Sequence, residues 1–182
     1  IQYRVGGGKA SNIGAGAVNI VGTIDFVVRV SGTKSPAAVL VEAKRSANKT
    51  DMIRADDINR KALHEVVLYF MRERKKGNTD IQHIVICTEH EIYIFAASIF
   101  ERVFQQNNSF RKDFEAWESG KKSDHTTEFF YREIAAPFVA GSDAELEATY
   151  VDLRGYHAEL SAGTISPKMV KLYKLLSPHY LV

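Results

Sequence analysis

Apolar residues recur along this chain with two different periods, and each change of period marks a switch between strand and helix. Ile24-Asp25-Phe26-Val27-Val28-Arg29-Val30 is β-branched and aromatic, which predicts a strand. Ser31 to Pro36 is turn chemistry, and Ala37-Ala38-Val39-Leu40-Val41-Glu42-Ala43-Lys44 predicts a second strand, apolar on both faces until its end. Two such runs across a short loop predict an antiparallel hairpin. From about Met52 to Lys75 the period lengthens. Ile58, Ala62, Leu63, Val66, Val67 and Phe70 fall on one helical stripe, which Gly77-Asn78 stops.

Ile81 to Thr88 and Glu91 to Ala96 are continuous apolar runs, expected as strands in a sheet covered on both faces. Ala97 to Phe104, Ser109 to Ser119 and Thr127 to Val139 predict helices, the last ending near Pro137. Glu147 to Leu153 predicts a further strand, and Ser166-Pro167 opens a final helix. Ahead of all this, Ile1 to Val5 is a possible first strand, followed by a glycine-rich stretch containing Gly6-Gly7-Gly8, Gly14 and Gly16. That stretch matches no phosphate-binding pattern. Gly8-Lys9 is followed by Ala10 rather than Ser or Thr, and Asn19 stands where a dinucleotide fingerprint needs glycine. A flexible turn between strands is the expectation. The order of elements gives an α/β fold with a mixed β-sheet flanked by helices and additional C-terminal helices.

At 182 residues, with 45% apolar and 25% charged residues, the chain fits one soluble domain. No apolar run approaches the length that spans a bilayer, and the N-terminus lacks a signal-peptide layout, so no membrane partner and a cytoplasmic address are expected. The lone Cys87, inside an apolar strand, excludes an internal disulfide and is expected to be a buried, inert thiol. A formal net charge of +2 does not by itself announce nucleic acid. The chain opens at Ile1 without methionine and stops in apolar sequence, and is expected to be a piece of a longer protein.

Three residues break the apolar pattern in a way that suggests chemistry. Asp25 lies inside its strand, and Glu42 and Lys44 close the neighbouring one on a common face, because side chains alternate with a period of two. If the hairpin pairs, Asp25 approaches Glu42. Two desolvated carboxylates repel unless a cation sits between them, either a metal or a lysine. Phosphodiester hydrolysis uses such a site: oxygen ligands suit Mg2+, with Mn2+ able to substitute, and the ion polarises the phosphoryl oxygen and acidifies water. In that reading Asp25 and Glu42 are the metal ligands, with the main-chain carbonyl of Ala43 as a further one; the alternative from the pattern alone is an edge-strand Asp25 and a solvated Glu42/Lys44 pair. Lys44 would orient water or stabilise charge developing on the phosphate. In the absence of metal, the Lys44 amine is expected within about 4 Å of a carboxylate.

Gly22-Thr23-Ile24-Asp25-Phe26-Val27-Val28 followed by Val39-Leu40-Val41-Glu42-Ala43-Lys44 resembles the core of PD-(D/E)XK nucleases. Asn59 to Glu65, Leu68 to Arg74 and Leu172 to Pro178 resemble the N-terminal nuclease region of type II restriction enzymes that fuse cleavage to methylation, the type IIG-like arrangement. The resemblance implies a restriction-endonuclease-like core over about residues 17–105 and a helical extension over about 106–182. It also implies catalytic Asp25, Glu42 and Lys44, a Mg2+ cofactor and a double-stranded DNA substrate. Methyltransferase and specificity regions would lie in the same full-length chain, and a homodimer would serve double-strand cleavage. Ile24 replaces the proline that names the motif. The family's core usually has a helix before the first strand, often with an acidic residue that reaches the metal; it is not visible in this sequence and is expected upstream of Ile1, which leaves a second metal site open. A repair or recombination nuclease of the same fold, and an inactive DNA- or protein-binding module, are the alternatives.

Other polar residues have plainer expectations. Lys61 and Glu65 fit an exposed i,i+4 pair on the long helix, the favoured expectation; the alternative that the resemblance implies is that this helix lends polar groups, Glu65 and Tyr69 on one face, to the active site. Arg45 and Lys49, just after the second strand, are expected to meet DNA, as is Lys61. Arg72, Arg74, Lys75 and Lys76 are expected to face water at a helix end. The histidines show no zinc spacing, and Trp117 and Phe129-Phe130-Tyr131 are expected in the core.

Overall fold

The computed structural model describes residues 11–13, 16–21, 24–29, 35–167 and 169–171; for residues 11–13, 16–21, 24–26 and 156 it describes the backbone alone. The expected strand at Ile1 to Val5, the turn residues Ser31 to Lys34 and the closing Leu172 to Pro178 lie outside the described residues.

Among the described residues, seven strands form one mixed sheet in sequence order: β1 (Ser11–Ile13), β2 (Gly16–Val21), β3 (Ile24–Arg29), β4 (Ala37–Ala43), β5 (His83–Cys87), β6 (Glu91–Ala96) and β7 (Thr149–Asp152). All neighbours are antiparallel except β4 and β5. That parallel pair needs a crossover, supplied by helix α1 (Lys61–Lys75). The remaining helical segments are α2 (Ala97–Phe100), α3 (Asn108–Glu118), α4 (Thr127–Phe129), α5 (Ala136–Ala140) and α6 (Leu153–Ser161), with π-helical turns at Glu101–Gln105 and Phe130–Ala135. The mixed α/β architecture is the one the patterning predicts. Glycine-rich residues expected as a turn include two paired strands, Ser11–Ile13 and Gly16–Val21.

Alternation along the strands sorts residues between two clusters. Leu40, Ile84, Ile86, Tyr93 and Phe95 join the main core against α1. Val39, Val85 and Ile94 form a smaller cluster with Val28, Val41, Cys87 and Ile92. α1 is buried almost all round, from Ala62 to Met71 apart from Glu65. A helix with that profile lies inside a fold rather than on its surface. Its second cover is an aromatic layer in which Phe130 packs on Trp117 at 4.9 Å and Phe138 on Phe110 at 4.6 Å between ring centroids. Gly77, at φ +84°, closes α1 in the left-handed conformation that glycine adopts without penalty.

Two expectations are corrected. The long helix begins at Lys61, not near Met52. Residues 45–60 are held out of helix by short polar side chains that bond locally. Asn48 Nδ2 donates to Asp51 Oδ2 at 2.8 Å, and Arg54 and Asp57 exchange backbone hydrogen bonds of 2.9 and 3.0 Å. Met52 and Ile53 are buried from this loop, and Ile58 packs against the core without being helical. Pro137 does not end its helix, which continues to Ala140. The preceding π-helical turn already shifts the ladder, with the Ala136 N–H donating to the Tyr131 carbonyl. A residue without an N–H is tolerated at that break.

Candidate functional site

The parallel ladder of β4 and β5 ends at Ala43 opposite Cys87, and Lys44 continues it by donating its N–H to the Cys87 carbonyl at 2.8 Å. Just beyond, Ser46 donates from its N–H to Glu89 Oε2 at 3.0 Å, and its hydroxyl also bonds Glu89, tying this turn to the β5–β6 turn. Crevices at the carboxyl ends of parallel strands are where open α/β sheets bind ligands.

Glu42 has Ile86 and then Tyr93 as ladder neighbours, so it stands on the face that α1 covers. Lys44, two residues on, shares that face. Its Nζ donates to Glu42 Oε1 at 2.6 Å and also to Glu65 Oε2 on α1. The cluster is largely desolvated: side-chain exposure is 4% for Glu42, 14% for Lys44 and 12% for Glu65. Burial alone would lower the Lys44 pKa. Hydrogen bonds and attraction from Glu42 and Glu65 outweigh it and hold the amine above the ordinary lysine range, so it is charged. Two carboxylates and one ammonium leave a formal charge of −1 in a nearly closed site.

The β3–β4 ladder pairs Phe26 with Val41 through to Arg29 with Ala37, so the antiparallel hairpin forms as expected. The ladder's last pair is Phe26 with Val41; continued by one step, its register would set Asp25 opposite Glu42. The side chain of Asp25 lies outside the described residues. Among the described residues, no group of three or more His, Cys, Asp and Glu could hold a metal ion. The described donors nonetheless suit a hard cation: they are carboxylate oxygens, and the position between them is filled by a positive charge.

Glu65 is the residue that sequence reasoning misplaced. It does not pair with Lys61, whose Nζ instead meets Glu128 Oε2 at 3.3 Å. The signal was present: Glu65 is a charge within a helix segment whose other residues are buried. Moreover, Lys preceding Glu by four residues is the less favourable order for a helical pair. Tyr131 completes the surroundings. Its phenol is buried and pushed up to about 12 by desolvation and by the nearby charge of Glu65.

The other expected residues sort simply. Arg45 and Lys49 are exposed on the loop after β4, and Ala43 closes that strand. Arg72 and Arg74 are not solvated cations. Arg72 forks onto Glu118 and lies over the Trp117 ring, while Arg74 bonds Glu101 at 2.7 Å, so both tie α1 to its helical cover. Trp117, Phe130 and Tyr131 are core, as expected, and Cys87 is half-buried rather than fully buried.

His64, beside Glu65, is a satisfied core histidine with a measurable consequence. Asn59 Nδ2 donates to the Ala136 carbonyl at 3.0 Å, which leaves Asn59 Oδ1 to accept from His64 Nε2 at 2.6 Å. Burial lowers its pKa from 6.5 to about 4, against an opposing pull from Glu128. The unfolded chain therefore binds the proton first as pH falls. Stability is complete above about 6.5 and declines as pH drops toward 4, by at most about 3 kcal/mol. Denaturant melts at pH 7 and pH 4.5 should show this decline in the wild type and a shallower one in His64→Gln. Equal declines would contradict it.

No helix among the described residues is long and apolar enough to cross a membrane. No curated protein and no solved structure matches the chain. A family model does match, over residues 12–182, and the chain belongs to that family, a domain of unknown function designated DUF7149.

Proposed function

We propose that this DUF7149 domain is a Mg2+-dependent endodeoxyribonuclease domain with a restriction-endonuclease-like core, acting within a restriction-modification enzyme. The observation that carries the reading is Lys44 bonded to Glu42 and Glu65 at the carboxyl end of β4, with Asp25 one step beyond the last pair of the β3–β4 ladder. Asp25 and Glu42 would hold the ion, with the Ala43 carbonyl beside them. When bound, the ion would polarise the phosphoryl oxygen and acidify a water. Hydrolysis adds the water oxygen to phosphorus, breaks one phosphorus–oxygen ester bond and delivers a proton to the departing alkoxide.

The side chains divide that work. Lys44 supplies a fixed positive charge where the phosphoryl oxygens gain negative charge, in a site dry enough for that charge to count. Glu65 orients Lys44 from the helix side and keeps it protonated. Glu42, now bonded by Lys44, would be a ligand of the ion when it is bound.

Calorimetric titration with Mn2+ tests the assignment of ligands. Wild type and Lys44→Ala should both bind the ion, whereas Glu42→Gln should lose most of the affinity, because an amide oxygen lacks the charge. Unchanged affinity in Glu42→Gln would remove Glu42 from the site. A cluster that neutralises itself with its own lysine would equally suit an inactive DNA-binding module. In that case the wild type takes up no ion at all.

A further inference from the structure

Lys61 is the first residue of α1 and lies one helical turn before Glu65, which bonds Lys44. The turn separates them by about 6 Å along the axis. That is between one and two of the roughly 3.4 Å steps by which phosphates advance along one DNA strand. Lys61 thus stands at the rim of the cluster, on the element that contributes Glu65.

Its surroundings differ from those of the three arginines on this side of the fold, Arg60, Arg72 and Arg74. Arg60 is held by Asp57, Arg72 by a two-pronged contact with Glu118, and Arg74 by Glu101. Lys61 meets Glu128 at a longer 3.3 Å, with side-chain exposures of 40% and 55%. An exposed pair of this kind contributes little, so another anion can displace it. The Lys61 ammonium also lies 5.7 Å from the centroid of the Tyr131 ring, a second weak contact that favours this position without depending on Glu128. Tyr131 is itself buried in the π-helical turn Phe130–Ala135, and such turns recur at functional sites. The ammonium thus keeps an aromatic neighbour if its counter-charge is exchanged.

We propose that Lys61 is a contact for a backbone phosphate of the DNA strand entering the site, and that Glu128 guards it by competing for the same ammonium. This rests on the nuclease reading, gives the expected DNA contact of Lys61 a place beside the cluster, and adds to it the competing role of Glu128. When a phosphodiester replaces the carboxylate at Lys61, Glu128 is left beside the polyanion. Its charge then opposes binding, so the guard sets affinity downward and makes engagement sensitive to salt.

The test is equilibrium binding of a fluorescently labelled DNA duplex by anisotropy, with chelator present to prevent cleavage, across a salt series. Glu128→Gln should bind several-fold tighter than wild type at low salt. Lys61→Gln should bind several-fold weaker, with the slope of log K against log salt reduced by about one. In the double variant the gain from Glu128→Gln should vanish. Glu115→Gln, an exposed glutamate paired with Arg111 on α3, changes net charge equally and should have little effect. If wild type binds but Lys61→Gln leaves affinity and slope unchanged, or Glu115→Gln acts as strongly as Glu128→Gln, the inference is overturned and the nuclease reading stands. If wild type binds no duplex even at low salt, both fall.

Discussion

In chelator, Lys44→Met should unfold at markedly lower denaturant than wild type, with a stability loss of about 3–5 kcal/mol. Methionine keeps the length and apolar bulk of the stem, so packing changes little and the effect isolates the charge. Glu42 and Glu65 are both mostly desolvated and share Lys44 as a cationic partner. Removing the ammonium leaves two carboxylates facing each other in a poor dielectric. Breaking a buried ion pair from one side costs far more than losing an exposed one, because the remaining charge stays uncompensated. Divalent ion should then restore part of the loss. A ligand that binds only the folded state at a hundred times its Kd adds about 2.7 kcal/mol. Loss of stability with no recovery on adding Mg2+ would mean that the carboxylates form an ion-pair network and nothing more. A loss below about 1 kcal/mol would mean that the cluster is wetter than its burial indicates.

The second large effect is on catalysis. Lys44→Ala should lower the rate of Mg2+-dependent DNA cleavage by about 10²-fold or more, the scale seen when one preorganised electrostatic contact to a transition state is removed. The same change should leave metal uptake intact, since an ammonium is no ligand and competes with the ion for Glu42. Glu65→Gln should cost less, because an amide still accepts a hydrogen bond from Lys44 while losing the charge that favours its protonation. That ordering separates a group acting on the substrate from one that positions it.

Much of this arrangement is legible in the sequence because it depends on local rules. The β3–β4 hairpin follows from two β-branched runs around turn residues, and the period of two places Glu42 and Lys44 together. Glu91–Ala96 is a strand with the bounds its apolar run gives. The misreadings share one physical origin: they applied a local rule where a tertiary contact decides. Glu65 was matched to Lys61 by helical spacing, yet the end of β4 brings Lys44 onto it from outside the helix. Met52 and Ile58 fit a helical stripe, but Asn48, Asp51 and Asp57 bond their own loop, and burial of Met52 and Ile53 anchors it there. Pro137 reads as a stop only where an unbroken i→i+4 ladder precedes it, and here the ladder has already widened to π-helical. Arg72 and Arg74 looked like solvated charge because nothing nearby in sequence announces Glu118 and Glu101.

The central claim is that the cluster of Glu42, Lys44 and Glu65, with Asp25 across the hairpin, is a site for hydrolysing DNA. The most direct measurement is conversion of supercoiled plasmid by the purified chain in Mg2+, comparing wild type with Lys44→Ala at matched folded concentration. Wild type should nick or linearise the plasmid, chelator should stop it, and Lys44→Ala should fall by about 10²-fold or more while still binding Mn2+. Cleavage by Lys44→Ala at the wild-type rate would contradict the claim.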